Sequence, residues 1–185
     1  MSRLPLVETQ DAPDGVRQIL EGLPVTLDIF RLMALAETSF RPLLALGTSI
    51  LTKQALDPKL RELAILQAAA LTPGEYEWVQ HVPIAKAVGA TDAEIEAVER
   101  GDTEAACLGE RERVLLRFGE QALRTTNVDD ALFEEALEHF SPREIVELTL
   151  TLGYYNMLAR LTEVVRLAAQ APAGTSIVDA AKREA

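Results

Sequence analysis

Apolar residues in this chain recur at spacings of three and four, and no segment sustains a two-residue alternation. That period predicts helices and requires no sheet. It places helices near 13–21, 27–36, 40–53, 58–71, 74–88, 92–99, 110–124, 130–138 and 142–169, an all-α bundle. Capping chemistry marks several of the starts. Asp57-Pro58 and Ser141-Pro142 each set a capping side chain before a proline, whose missing N–H is harmless in a first turn. Ser141 is followed by Glu144, and Thr72-Pro73-Gly74-Glu75 and Thr91-Asp92-Ala93-Glu94 fit the reciprocal capping box. Gly89 is placed to end the helix before it in a left-handed conformation. These elements read as one helical domain over residues 1–170. Residues 101–104 form an acidic surface link and 171–185 a loose tail.

Two segments, LDPKLRELAILQAAAL and FSPREIVELTLTLGYY, share one order: cap, proline, charged pair, long apolar run. The echo suggests two similar helices packed as neighbours. The first is apolar on nearly every side and should be buried all round. Glu62 shares its face with Ile65, Leu66 and Ala69, and a buried carboxylate needs a partner because a lone desolvated charge is costly. A short turn at 72–74 brings the next helix back antiparallel. His81 then comes within reach of Glu62. Around it, YEWVQHVPIAKAVG carries an apolar stripe of Trp78, Val82 and Ala85. Pro83 cannot donate to the carbonyl of Val79 and should bend this helix beside His81.

Composition narrows the function. The 185 residues are 48% apolar and 25% charged, with a net charge of −11 and no run of Lys or Arg. A nucleic-acid partner is disfavoured because phosphate binding needs a basic patch, and acidic membrane surfaces are disfavoured on the same ground. The start MSRLPLVETQ lacks the segments of a secretion signal, and no charge-free stretch reaches about 18 residues. Cys107 is the single cysteine, so no internal disulfide forms, and it has no flanking cation to activate it. The expectation is a cytoplasmic protein. Nine helices, several apolar on most faces, leave more apolar surface than one small core covers, which points to a homo-oligomer.

Further candidates lie on the last helix. Tyr154, Tyr155 and Asn156 can hydrogen-bond an oxyanion, and Arg160 can hold a carboxylate bidentately or form a salt bridge to Glu163. Trp78 is either a pocket wall or core. His139, at a helix end, is assigned to the local dipole. Two distant histidines do not make a metal site.

The stretch RELAILQAAALTPGEYEWVQHVPIAKAVG resembles the carboxymuconolactone decarboxylase-like family, which includes alkylhydroperoxidase D. The resemblance is strongest over 56–99 and continues through GYYNMLAR. In the peroxidase branch a Glu, a Cys-x-x-Cys pair and a His form the redox site and proton relay. Glu62 and His81 fall on the Glu and His positions, whereas Gly74 and Glu77 stand where the cysteines would be. A disulfide-cycling peroxidase needs both thiols. The resemblance therefore implies the decarboxylase branch: a cofactor-independent enzyme moving protons on a small carboxylated lactone or enolisable metabolite. His81 would transfer the proton, Glu62 would orient it, and Glu77 would be a second carboxylate in the pocket. Trp78, Tyr155, Asn156 and Arg160 are the candidates for binding substrate. The family also implies trimers or multiples of them, with dimers as an alternative. An alkylhydroperoxidase-type peroxidase and a non-catalytic binding protein are the competing readings.

Overall fold

In the computed structural model, which describes residues 2–23, 25–72, 75–176 and 178–179, every regular element is helical. A short 3-10 turn at Thr9–Asp11 precedes α1 (Asp14–Gly22), α2 (Asp28–Met33) and α3 (Glu37–Lys53). Next come α4 (Pro58–Ala70), α5 (Tyr76–Ala87) and α6 (Asp92–Glu99). The chain continues with α7 (Glu110–Thr125), α8 (Asp130–His139) and the long α9 (Pro142–Val165).

Side-chain caps fix the starts of α4, α6 and α9. The Asp57 carboxylate accepts the N–H groups of Lys59 and Leu60 at 2.9 and 3.2 Å, and Thr91 and Ser141 each complete a capping box with the glutamate three residues on. The box expected at 72–75 does not form. Glu75 is the N-cap of α5 and makes no side-chain cap bond, while the Thr72 hydroxyl donates back to the Ala68 carbonyl at 2.9 Å. Pro73 and Gly74 lie outside the described residues. At the other end, α9 stops at Val165, short of the expected 169. Arg166 turns left-handed (φ 54°), and the Leu167 N–H returns to the Thr162 carbonyl at 2.8 Å, closing the last turn.

Helix α4 is the axis of the molecule. Ten consecutive residues, Leu60 to Ala69, are buried, and the helix packs against α5, α6, α7 and α9. Leu60, Leu63, Ala64 and Leu66 enter a core shared with α6, α7 and α8. Ile65 and Ala68 enter a second core built with α1, α2 and α3. A helix with apolar side chains all round can serve two cores at once. The echo helices α4 and α9 do lie against each other.

Two tethers lay α3 antiparallel across α9. The Tyr154 hydroxyl donates to the Leu43 carbonyl at 3.0 Å, and near the far end of α3 Gln54 donates to the Glu147 carbonyl at 3.1 Å. The Glu147 carboxylate also receives the N–H groups of Ala55 and Leu56, at 2.7 and 2.9 Å, fixing the link from α3 to α4. The segment expected as a loose tail is held where it begins. Gln80 on α5 donates to the carbonyls of Gln170 and Ala171 and accepts the Ala173 N–H, and Val178 is buried. Among the described residues no helix is long and apolar enough to cross a membrane.

Candidate active site

Glu62 lies at the middle of the buried face of α4 and is fully shielded from solvent. Its two oxygens have separate partners. One accepts from the Nε and Nη2 of Arg61 at 3.2 and 3.1 Å, and the other lies 2.8 Å from Nδ1 of His81 on α5. A buried carboxylate is tolerated when a cation and hydrogen bonds compensate it, and here Arg61 supplies the cation. With Nδ1 donating to Glu62, the other ring nitrogen, Nε2, is the acceptor of the neutral ring. It makes no hydrogen bond among the described residues.

The imidazole faces a pocket of about 570 Å³, a volume within the usual range for small-molecule sites. One wall is the end of α1 with α2 and the residues between them, including Ile19, Leu27 and Ile29; α3 contributes Leu44, Thr48 and Leu51. The polar floor comes from α5 and α9: Tyr76, Glu77, Gln80, His81, Tyr154 and Tyr155. The Tyr155 ring meets His81 edge-on, with centroids 4.8 Å apart and planes at 85°, and Tyr154 packs against Tyr155 in the same manner at 5.4 Å. These contacts pack the imidazole against α9.

The floor is poor in mobile charge. Burial, reinforced by the Glu62 carboxylate, pushes the Tyr155 phenol well above its ordinary range, so it remains a neutral O–H. Burial likewise pushes Tyr154 up to about 12 and raises Tyr76, whose hydroxyl donates to Gln170 at 2.8 Å and accepts the Ile29 N–H. Burial also raises Glu77, against the opposing pull of His81 one turn along the helix. The cations on the pocket lining are Arg41 and Lys53, both exposed on α3 and without an ion pair among the described residues.

Residues 38–121 match the Carboxymuconolactone decarboxylase family. The matched stretch holds Glu62, Glu77 and His81. A comparison with curated proteins gives no match. Among solved structures, it resembles an alkylhydroperoxidase AhpD core protein, peroxidase-related, from Ralstonia eutropha JMP134. The TM-score is 0.79 at 20% identity, covering 91% of this chain and 92% of that one. A peroxidase-related protein from Silicibacter sp. TM1040 gives 0.78 at 19% identity, covering 92% of each chain. The debrominase Bmp8, as a variant in complex with 2,3,4-tribromopyrrole, gives 0.72 at 17% identity over 100% and 99% of the two chains. At these identities the likeness is one of fold.

Within this fold, the predicted candidates divide. Glu62, His81, Glu77 and Tyr155 come together as the sequence suggests. Trp78 does not reach the pocket: it packs, half-buried, against the core of α4, α6 and α7. Asn156 is half-buried and outside the lining, and Arg160 is exposed on the outer face of α9. The reason is helical phase. Tyr154, Tyr155 and Leu158 occupy the inner face of α9, and positions 156 and 160 fall away from it. The ion pair of Arg160 with Glu163 does not form, and His139 takes no part in the site. Among the described residues no cluster of His, Cys, Asp or Glu could hold a metal ion. Cys107, exposed between α6 and α7, donates weakly to the Ala93 carbonyl and lies outside the pocket lining.

Sequence reasoning missed Arg61. Its neighbour Glu62 was selected for sitting on a packed face, yet a helix buried all round buries both, and each then needs the other. It also missed the wall from α1 to α3, which carries apolar residues with no chemical signature.

Proposed function

We propose that this chain is a cofactor-independent acid–base enzyme acting on a small carboxylated lactone or enolisable metabolite. One observation carries the reading. The Glu62 carboxylate holds Nδ1 of His81 at 2.8 Å, which leaves Nε2 as the basic nitrogen of a ring that lines the pocket. An oriented imidazole beside a mostly apolar pocket is equipped to take a proton from carbon and return it. The neutral Tyr155 phenol, with no partner among the described residues, is placed to donate to an oxygen that gains charge. Arg41, on the pocket lining, takes the carboxylate-holding role expected of Arg160.

The peroxidase reading has less support. The chain has one cysteine, outside the pocket lining, so a disulfide cycle has no second thiol. That the debrominase neighbour binds a small cyclic compound supports a ring-sized substrate in this fold.

The test is a panel of carboxylated lactones and β-keto or enolisable acids incubated in deuterated water. Deuterium incorporation and carbon dioxide release are followed with wild type and His81→Ala. Turnover by wild type that His81→Ala loses supports the reading. Turnover retained by His81→Ala, or binding by wild type without any turnover, overturns it in favour of another chemistry or a binding protein.

A further inference from the structure

We propose that Glu77 is held as a neutral carboxylic acid on the pocket floor and is the proton donor that complements His81; this rests on the acid–base reading above. Glu77 is 3% exposed and lines the pocket. Its side-chain partner is the hydroxyl of Thr162 on α9, which lies 3.3 and 3.4 Å from the two carboxyl oxygens. That hydroxyl also lies 2.9 Å from the Ala159 carbonyl of its own helix.

A hydroxyl has one proton to give, and the shorter bond to the helix carbonyl takes it. The Thr162 oxygen then presents lone pairs to Glu77. An ionised carboxylate would meet them with lone pairs of its own, whereas a carboxylic acid donates its O–H into them. The charged surroundings do not reverse this. On α5, the backbone N–H of Glu77 itself and His81 favour the ionised form, and on α9 Glu163 opposes it. Tyr76 and Tyr155 face Glu77 as neutral phenols. On α4 the charge of Arg61 is engaged by Glu62. Arg41 and Lys53 of α3 stand at exposed positions of the pocket lining and form no ion pair with Glu77. Burial is the largest influence on the group, and it favours the neutral acid.

The two groups divide the work. Nε2 of His81 takes a proton from the carbon beside a substrate carbonyl. The C–H electron pair becomes the new C=C bond, the carbonyl π pair moves to oxygen, and the O–H of Glu77 protonates that oxygen. The product is an enol, with His81 now imidazolium and Glu77 carboxylate. These new opposite charges sit one turn apart on α5, a spacing at which they attract. Return of both protons, to the same or a different carbon, resets the enzyme.

The experiment is infrared spectroscopy of the ligand-free protein at neutral pH, comparing wild type with Glu77→Gln. The expected result is a C=O band of a buried carboxylic acid in wild type that Glu77→Gln lacks. In Thr162→Val, which keeps Glu77 but removes its acceptor, the band shifts in frequency. Absence of the band in wild type, its persistence in Glu77→Gln, or no shift in Thr162→Val overturns the proposal. Should Glu77→Gln fail to fold, wild type and Thr162→Val decide. None of these spectra needs a substrate, so they fail or succeed independently of the turnover test. With a substrate found, Glu77→Gln lowers turnover by about 10² to 10⁴, the usual contribution of a general acid.

Discussion

The hydroxyl of Tyr154 occupies the space where a side chain on Gly47 would begin. A Cβ built on Gly47 would lie 2.6 Å from that oxygen and 3.1 Å from the ring carbon bearing it. The glycine is there for space, because it lets the tyrosine reach the Leu43 carbonyl and pin α3 over the pocket. Gly47→Ala should destabilise the protein by about 1–3 kcal/mol, the ordinary cost of overpacking. Adding Tyr154→Phe should recover part of this, since the nearest contact is removed. Urea denaturation of wild type, Gly47→Ala and the double variant checks it, and an unchanged midpoint in Gly47→Ala would show that α3 shifts freely.

Arg41 should govern binding of an anionic substrate. It lies two residues from Leu43, where Tyr154 meets α3, and Tyr155 beside it packs on His81. Lys53 is twelve residues further, about 18 Å along the helix. Arg41→Gln should raise KM severalfold with a smaller effect on kcat, and Arg41→Lys should recover this only in part because the planar fork is lost. Arg160→Lys should leave both constants unchanged. A KM that responds to Arg160 and not to Arg41 would reverse the assignment.

The stability of the protein should carry the signature of Glu77. Its carboxyl is raised by burial, so between the unfolded value of about 4.3 and the higher folded value the native state binds more protons than the unfolded one. Stability therefore falls with rising pH in that window. Glu77→Gln lacks this loss. Relative to wild type it should gain stability as pH rises through the window, by at most about 1.4 kcal/mol per pH unit, with no relative change below it. Denaturation at a series of pH values tests the sign, and a difference that shrinks as pH rises would contradict it.

The outer face of α9 carries Val146, Leu150, Met157 and Val164, all exposed, with Gly153 and Arg160 between them. The spacing is four, three, four, three, four, the stripe of a helix that packs along another. A second copy of this chain is the partner we propose for it. Leu150→Glu with Met157→Glu should reduce the species seen by light scattering to 20.2 kDa. A wild type that already runs at that mass at micromolar concentration would exclude the proposal.

How much of this was legible in the sequence varied with the kind of signal. Helix ends with explicit caps, such as Asp57-Pro58 and Ser141-Pro142, fell where the pattern put them. The end of α9 did not, because a left-handed Arg166 carries no glycine to announce it. Glu62 and His81 could be paired from burial and a short turn. Which residues of α9 face inward could not, since that helix is apolar on its outer stripe as well, and Arg160 was drawn from the wrong face. Thr162 gave no sign at all: its role depends on packing against a residue 85 positions away.

The central claim, that Glu62 fixes His81 with Nε2 as the basic nitrogen, can be tested without a substrate. The chain has two histidines, so nitrogen-15 NMR of labelled protein resolves both rings. With the rings neutral, His81 should show its proton on Nδ1 and an unprotonated Nε2, and Glu62→Gln should alter the shifts of His81 and leave those of His139 unchanged. A His81 ring that carries its proton on Nε2, or that ignores Glu62→Gln, would contradict the account.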